Sequence, residues 1–286
     1  MGVLVTRSEA TLGAVVHGVE LRALDDTTWR RLEDAFDEHA VLVFPAQFLT
    51  DAEQAAFARR FGRLERGMGN LGDAPVWPIS NVQPDGTLAD PAGPLAMVLV
   101  GNQQWHTDSS YHRVAAKASM LSARVVPPSG GETEWADMRA AFDALEAADR
   151  ALVAGRDASH SYLYSQRKVG AGEELWTNAD KDSMAEVRHP LVRVHPVTAR
   201  PALYLGRHAN AVSDMSAEDS EALVARLMAF ACRPPRVFTH RWSPGDLVVW
   251  DNRCVLHRGR PWDHREARVM RHSRVAGDGD NEWAVM

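Results

Sequence analysis

Apolar residues recur at helical spacing in four parts of the chain, each behind a residue that commonly caps a helix. The four capping residues are Asp25, Thr50, Asp137 and Ser216. Thr50 is followed three residues later by Glu53, which is the capping-box pattern of a helix start. The helix behind Asp137 is predicted to continue to about Ala154, and the last helix is predicted to end before Pro234.

Short runs of apolar and β-branched residues between these helices predict strands. The runs are 40–44, 118–126, 191–194, 202–205, 237–242 and 247–250. We expect the third and fourth runs to form one hairpin, and the last two to form another around the turn at 243–246. Many short strands with few helices indicate a mainly β fold of the sandwich type, with the helices packed outside.

Two polar segments between these elements are predicted to be long loops. Residues 62–97 are rich in Gly, Pro and Asp, with a short strand near Ile79, and residues 167–187 are rich in Gly, Glu and Asp. Long loops in compact domains are commonly functional or disordered. We therefore expect the first loop to lie close to a functional site.

The composition fits a single domain spanning residues 1–286, because cores of this class often reach that size undivided. The net charge of -6 argues against a nucleic-acid partner held by phosphate contacts. The sequence lacks a signal-peptide pattern and an apolar run of ~20 residues, which favours a cytoplasmic protein with no membrane partner. Cys232 and Cys254 are expected to be free thiols.

His106 and Asp108 are two positions apart, and residues at this spacing project to the same face of an extended segment. The stretch 247–252, whose first four residues are apolar, predicts a buried strand that delivers His257 to the same place. Two histidines and one carboxylate occupy three facial positions of an octahedral iron(II) ion and leave three positions open for small molecules. We therefore predict a catalytic iron(II) site at these three residues.

Two further features carry groups that bind carboxylates. The loop that ends at Thr133 offers a hydroxyl on a tight turn. The strand predicted over 268–274 presents Arg268, His272 and Arg274 on one face. A guanidinium binds a carboxylate through two hydrogen bonds and stays charged. A small anionic molecule is therefore expected beside the metal.

The order of these motifs along the chain is H-x-D, then G-G-x-T, then W-D-N-x-x-x-x-H, then R-x-M. It resembles the order in iron(II)/2-oxoglutarate dioxygenases of the taurine dioxygenase type, and the resemblance extends from Gly13 to about Gly277. Within that group the chain is most similar to the aryloxyalkanoate dioxygenases, especially the (S)-selective phenoxypropionate enzymes. The stretches that carry this similarity are 10–14, 79–82, 136–141, 164–166, 206–209 and 268–270.

The resemblance implies a double-stranded β-helix (jelly-roll) core, a homo-oligomer, and the use of iron(II), 2-oxoglutarate and dioxygen. It also implies that Arg268 and Thr133 bind the distal carboxylate of 2-oxoglutarate. Related halogenases have a small residue in place of the carboxylate ligand, so the presence of Asp108 favours hydroxylation.

For the substrate, the resemblance implies hydroxylation of the carbon between an ether oxygen and a carboxylate, which yields a phenol with pyruvate or glyoxylate. The family often has an arginine four residues after the oxoglutarate arginine, but this chain has His272 there. His272, Arg274 or both are therefore candidates for the anion anchor. Asn102, Arg207 and His208 are further candidate substrate contacts.

Three rival interpretations remain open on the sequence alone. The same chemistry could act on an alkylsulfonate such as taurine or on another small carboxylic acid, because pocket loops diverge faster than motifs. A zinc hydrolase could use the same three side chains, although Arg268 and the G-G-x-T motif would then be unexplained. The third is a jelly-roll binding protein without catalysis.

Overall fold

The structure is a computed structural model that describes residues 2–65, 74–91, 93–170, 181 and 185–279. Its strands are β1 (Leu4–Arg7), β2 (Ala14–His17), β3 (Val41–Phe44), β4 (Trp77–Ser80), β5 (Ala116–Val125), β6 (Thr133–Asp137), β7 (Asp157–His160), β8 (Val187–Pro190), β9 (Val192–Val194), β10 (Pro201–Leu203), β11 (Ala209–Val212), β12 (Val237–His240), β13 (Leu247–Asp251), β14 (Val255–Gly259) and β15 (Val269–Ala276). Its helices are α1 (Asp26–His39), α2 (Asp51–Arg59), α3 (Pro94–Gly101), α4 (Met138–Asp143), α5 (Ala147–Val153), α6 (Tyr162–Lys168) and α7 (Ala217–Ala231). The prediction of a mainly β fold with flanking helices is confirmed.

In the described part of the chain the largest sheet has seven strands, in the order β1-β2-β3-β13-β5-β15-β4. Its neighbours pair antiparallel except for the parallel pair β2–β3. A smaller sheet has the order β12-β6-β14, and two more have the orders β11-β7-β8 and β10-β9. The predicted hairpin over 191–205 is the last of these.

Alternate residues of the seven-stranded sheet face opposite ways, which gives the sheet two apolar faces. On β13, Leu247 and Val249 pack with helices α1 and α2. Val248 and Trp250, which alternate with them, pack against the smaller sheet β12-β6-β14. The strand is therefore buried on both sides, which explains why residues 247–250 form a continuous apolar run without polar alternation.

The chain crosses repeatedly between these two sheets. It passes from β5 to β6 and, further along, from β12 through β13 and β14 to β15. Our prediction of a hairpin between 237–242 and 247–250 is wrong, because β12 pairs with β6 whereas β13 pairs with β3 and β5. All of β13 is buried, so it needs a neighbour on each side and a layer on each face, which an isolated hairpin does not provide.

Local capping signals identified the helix starts well. Asp25 caps α1, Ser216 caps α7, and the predicted capping box is formed at the start of α2. The single helix predicted behind Asp137 is instead two helices, α4 and α5. The chain leaves the helical conformation between them, and Leu145 in this break is 6% exposed and packs in the core.

The two predicted loops lie partly outside the described residues, at 66–73, 92, 171–180 and 182–184. The strand expected near Ile79 is confirmed as β4. Helix α3 corrects the end of the first loop: Pro94 is its first residue, a position that proline favours. The apolar run at 98–100 is too short to indicate whether the segment is helical or extended, so the sequence did not predict α3.

Within the described ranges, no helix combines the length and apolar character needed to cross a bilayer. Both cysteines are free thiols, as predicted.

Candidate active site

His106 and His257 face each other across a short antiparallel bridge. The backbone nitrogen of each donates to the carbonyl oxygen of the other, at 3.0 and 2.7 Å, and the ring centroids are 4.1 Å apart. His257 lies on β14, one strand later than expected, because the chain turns after β13 into the smaller sheet. The bridge joins the segment after α3 to this sheet and brings the two imidazoles together.

Asp108 follows two residues after His106 and completes the cluster. Its Oδ2 lies 3.7 Å from Nε2 of His257. Potential ligand atoms of the three residues all lie within 4.8 Å of one another. The structure therefore brings together the three residues that the sequence predicted as metal ligands.

The protonation states of this cluster suit a metal. Nδ1 of His106 lies 2.7 Å from the carbonyl oxygen of Gln104, which can only accept, so Nδ1 carries the proton and Nε2 keeps its lone pair. Burial lowers the pKa of His106 to about 4 and holds that of His257 well below its ordinary value. Both imidazoles are therefore neutral near pH 7, as metal binding requires.

Asp108 supplies the negative charge of the cluster. Burial by itself would raise the pKa of its carboxyl, but the nearby His257, His272 and Arg274 outweigh burial and keep the pKa well below the ordinary value. Two neutral imidazoles and one ionised carboxylate are the donor set that suits iron(II) with open positions. The residues present therefore fit the expected metal.

A cavity of about 70 Å³ connects this cluster to the predicted carboxylate-binding residues. The residues that line it are Ile79, Asn102, His106, Asp108, Leu121, Thr133, Trp250, His257, Gly259, Arg268 and His272. The three candidate metal ligands, the two candidate 2-oxoglutarate contacts and two of the five candidate substrate contacts thus share one cavity.

Arg268 is a buried cation in this cavity without a carboxylate partner among the described residues. Its Nη2 donates to the carbonyl oxygen of Gly131 at 3.2 Å, and its Nε has no hydrogen-bond partner within the same residues. The guanidinium lies over the ring of Trp262, with 5.0 Å between Cζ and the ring centroid. Burial lowers its pKa to about 10, so it stays charged near neutral pH. An uncompensated buried charge of this kind favours an anionic ligand.

Gly131 allows this close approach. Its φ of +71° is a conformation that residues with side chains rarely adopt. A Cβ atom there would lie 3.1 Å from Nε of Arg268. The second glycine of the G-G-x-T motif is therefore required by the turn, and a side chain in its place would crowd the arginine.

Thr133 begins β6 beside this turn, and its hydroxyl oxygen lies 3.0 Å from the indole nitrogen of Trp242. Because an indole N–H can only donate, the threonine oxygen is the acceptor and its proton remains available to a ligand. Sequence reasoning missed Trp242, which we had placed at the end of a predicted strand with no role.

The remaining candidate substrate contacts lie outside the cavity that holds the metal cluster. Arg274 donates from Nη1 to the hydroxyl of Ser109 at 2.9 Å, and its Nε lies 3.4 Å from a carboxylate oxygen of Glu65. The protein thus supplies Arg274 with its own counter-ion. The sequence could not reveal this pairing, because nothing local links Glu65 to a strand more than two hundred residues away.

Arg207 and His208 meet at Ser165 on α6. Nη2 of Arg207 lies 3.2 Å from the hydroxyl oxygen of Ser165, and Nδ1 of His208 lies 2.9 Å from it. Arg207 borders a separate cavity of about 370 Å³. The ring centroid of His208 lies 6.2 Å from that of His106, so it packs behind a candidate metal ligand.

Comparison with known proteins agrees with this geometry. The sequence model of the family described as taurine catabolism dioxygenase TauD, TfdA family matches residues 5–274. The chain belongs to the TauD/TfdA family. It is 47% identical to an (S)-phenoxypropionate/alpha-ketoglutarate-dioxygenase of Delftia acidovorans over 99% of this chain and 98% of that protein. It is 40% identical to an alpha-ketoglutarate-dependent 2,4-dichlorophenoxyacetate dioxygenase of Cupriavidus pinatubonensis, covering 97% and 99% of the two chains.

Among solved structures, AAD-2 in complex with Mn(II) and N-oxalylglycine superposes with a TM-score of 0.89 at 39% identity, covering 97% of this chain and 98% of that one. A taurine dioxygenase from Burkholderia xenovorans has a TM-score of 0.77 at 28% identity, with 97% and 92% covered. The predicted family and the predicted jelly-roll core are confirmed.

A second group of metal-binding residue types in this TauD/TfdA family member is His195, Asp251 and Cys254. Nδ1 of His195 accepts the backbone N–H of Thr198 at 3.1 Å, so its Nε2 carries the proton and donates to Asp251 at 2.9 Å. Arg253 donates to both oxygens of the same carboxylate. Burial raises the pKa of Cys254, which keeps it a thiol. This group has no free lone pair suited to a metal and instead anchors the turn after β13.

Proposed function

We propose that the protein is an iron(II)/2-oxoglutarate-dependent dioxygenase that hydroxylates aryloxyalkanoates such as (S)-2-phenoxypropionate or phenoxyacetate. The observation that carries this proposal is the buried, unneutralised Arg268 in the same cavity as two neutral imidazoles and an ionised carboxylate. A zinc hydrolase would leave that cation unexplained, and a binding protein without catalysis would leave the complete set of metal ligands unexplained. The similarity to phenoxypropionate and dichlorophenoxyacetate dioxygenases supports the substrate class.

His106, Asp108 and His257 would hold the iron. Bound there, iron(II) would use dioxygen to convert 2-oxoglutarate into succinate and carbon dioxide while one oxygen atom replaces a substrate C–H by C–OH. The burial of the two histidines keeps their lone pairs unprotonated and limits the contact of the imidazoles with bulk water.

Arg268 and Thr133 would bind the distal carboxylate of 2-oxoglutarate. The guanidinium offers its unsatisfied Nε–H, and Thr133 offers the proton that Trp242 leaves available. A carboxylate placed between them would neutralise the buried cation, so both groups gain from the contact. Gly131 would keep this position open.

His272 and Asn102 would contact the substrate, since both line the cavity. Nε2 of His272 lies 3.6 Å from Oδ2 of Asp108, which places the ring beside the metal cluster. Arg274, Arg207 and His208 would shape the surrounding wall, Arg274 through its contacts with Ser109 and Glu65.

Hydroxylation of the carbon between the ether oxygen and the carboxylate gives a hemiketal or hemiacetal. Its hydroxyl proton passes to the ether oxygen as the C–O bond to the aryl group's oxygen breaks, which releases a phenol. The remaining fragment is pyruvate from a propionate and glyoxylate from an acetate. We further propose that residues 1–286 act as one domain within a homo-oligomer, which light scattering would check.

The decisive experiment is aerobic turnover with iron(II), ascorbate and 2-oxoglutarate. (R)- and (S)-2-phenoxypropionate, phenoxyacetate and taurine are offered separately, and succinate is quantified with phenol or sulfite. Phenol matched to succinate, with a preference for the (S) acid, is the expected result. Sulfite from taurine would favour the alkylsulfonate alternative, and succinate from none of the four would contradict the proposed substrate class.

A further inference from the structure

The side chain of Asn252 connects the segment that carries Asp108 to the larger sheet. Asn252 lies in the turn between β13 and β14 and is 1% exposed. Its Oδ1 lies 3.1 Å from the indole nitrogen of Trp250 and 3.3 Å from the backbone nitrogen of Asp108. Its Nδ2 lies 2.8 Å from the hydroxyl oxygen of Ser119, which in turn lies 2.6 Å from Oδ2 of Asp108.

The direction of every hydrogen bond in this set follows from groups that can only donate or only accept. Indole and backbone N–H groups only donate, so the Asn252 atom that faces them is the amide oxygen. The amide nitrogen therefore faces Ser119 and donates to its hydroxyl oxygen. The Ser119 proton then goes to Asp108, whose ionised carboxylate only accepts. The hydrogen bonds therefore form a circuit. It leads from the backbone N–H of Asp108 through the side chains of Asn252 and Ser119 to the carboxylate of the same aspartate.

The circuit is held within the protein interior. Ser119 is fully buried on β5, directly opposite Trp250 on β13. Thr107, the residue between the two ligands of the H-x-D motif, donates to the carbonyl oxygen of Asn252 at 2.8 Å. The turn that carries Asn252 is itself fixed by the ion pair of Asp251 with Arg253. The carboxylate is therefore restrained from a rigid part of the fold.

We propose that Asn252 and Ser119 are positioning residues that hold the Asp108 carboxylate in the orientation required for metal binding. This inference rests on the proposed metal site. Hydrogen-bond partners behind metal ligands commonly contribute 10–100-fold to metal affinity. The proposal assigns that contribution to Ser119 directly and to Asn252 through Ser119.

The test is the affinity of the metal-free protein for Mn(II), measured by titration without substrate and paired with the unfolding free energy of each variant. Ser119→Ala removes the last link to Asp108. Ser122→Ala is the matched control, because Ser122 lies on the same strand, is 2% exposed and donates instead to Gln54 at 2.6 Å. Asn252→Leu removes the hub of the circuit, and the double variant with Ser119→Ala completes a mutant cycle.

We expect Ser119→Ala to weaken Mn(II) binding about ten-fold or more, and Ser122→Ala to leave it within about two-fold of the wild type. The double variant should bind Mn(II) no more weakly than Ser119→Ala alone, because Asn252 acts on the Asp108 carboxylate through Ser119. Equal Mn(II) affinity for the Ser119→Ala and Ser122→Ala proteins would overturn the proposal. A wild-type protein that binds no Mn(II) would instead contradict the metal site itself, and this inference with it.

Discussion

Trp242 donates its indole N–H to the hydroxyl oxygen of Thr133 across 3.0 Å in the buried interior. Thr133 is the first residue of β6 and pairs with His240 on β12. Trp242 lies two residues after His240. The bond turns a rotatable hydroxyl into a donor of fixed direction, since one side of the oxygen is occupied. A threonine on a tight turn is thereby prepared for an anionic ligand.

Trp242→Phe should raise the KM for 2-oxoglutarate about five-fold while changing kcat little. The substitution keeps an aromatic ring but frees the Thr133 hydroxyl to rotate, at a cost of about 1 kcal/mol in binding. Steady-state kinetics with varied 2-oxoglutarate measure the effect. Trp29→Phe, at a buried tryptophan packed with α2, is the control and should leave this KM unchanged. An unaltered KM in both variants would show that Trp242 does not orient the Thr133 hydroxyl for 2-oxoglutarate.

Arg268→Met should abolish 2-oxoglutarate binding and yet leave the ligand-free protein at least as stable as the wild type. The guanidinium is buried without a counter-ion among the described residues, so its removal relieves a desolvation cost. Calorimetric titration with 2-oxoglutarate and urea unfolding without it measure the two effects. A large loss of stability would show that Arg268 has a structural role.

Arg258→Met is the control for Arg268→Met. Arg258 donates to a carboxylate oxygen of Glu134 at 2.7 Å and is itself partly exposed. We expect this variant to retain 2-oxoglutarate affinity and to lose at most about 1 kcal/mol of stability.

The sequence predicted most helices and strands because their signals are local. Asp25, the Thr50–Glu53 pair and Ser216 each cap the helix that they were expected to cap. It predicted the pairing of β9 with β10, but it did not predict the partners of β12 and β13. The first four residues of β13, 247–250, are all apolar, and such a run is compatible with a hairpin as well as with the centre of a sheet.

The candidate active site shows the same difference between local signals, which the sequence carries, and long-range contacts, which it does not. The H-x-D spacing and the distant histidine sufficed to predict a cluster that the structure brings together. The surroundings of Arg274 could not be predicted, since its partner Glu65 comes from a remote segment. Asn252 was visible only as a letter of the W-D-N motif, and its link to Asp108 exists only after β5 and β13 have paired.

Mn(II) should stabilise the metal-free protein against heat, and His257→Ala should remove this effect. A ligand at 100 times its Kd adds about 2.7 kcal/mol, which corresponds to a rise in Tm of roughly 5 °C or more for a chain of this size. Differential scanning calorimetry with and without Mn(II) measures the shift. His195→Asn should lower the Tm but keep the Mn(II)-dependent rise, because the cluster at Asp251 has no ligand role. A rise lost in the His195→Asn protein alone would reverse the assignment of the two clusters.

His272→Ala should raise the KM for the aryloxyalkanoate about ten-fold and leave the KM for 2-oxoglutarate unchanged, because His272 lines the cavity beside Asp108.

Arg274→Met should act differently: it leaves Glu65 and Ser109 without their cationic partner, so stability should fall by about 1–3 kcal/mol. Kinetics with each substrate varied in turn, together with urea unfolding, separate the two roles. A selective rise in substrate KM for the Arg274 variant alone would identify Arg274 as the anchor.

Buried neutral histidines away from the active site make the fold sensitive to mild acid. Burial lowers the pKa of His189 to about 4 and that of His160 well below its ordinary value of 6.5. As the pH falls below about 6.5, these histidines become protonated in the unfolded chain but stay neutral in the folded one. The free energy of unfolding therefore decreases until the pH reaches the folded-state pKa. Between pH 7 and pH 5 this costs about 2 kcal/mol for each such histidine. Buried carboxylates such as Asp251, whose pKa is lowered, add their loss only below about pH 4.

His160→Phe tests this origin of the acid sensitivity. Neither ring nitrogen of His160 has a hydrogen-bond partner in the described structure, and its ring stacks on Tyr204 with 5.6 Å between centroids. A phenylalanine keeps the aromatic contact and cannot be protonated, so stability at pH 7 should be retained. The loss of unfolding free energy between pH 7 and pH 5, measured in urea on the metal-free protein, should shrink by about 2 kcal/mol. His17→Ala, at an exposed position, should leave the loss unchanged. The same pH dependence in the His160→Phe protein as in the wild type would mean that the acid sensitivity arises from other groups.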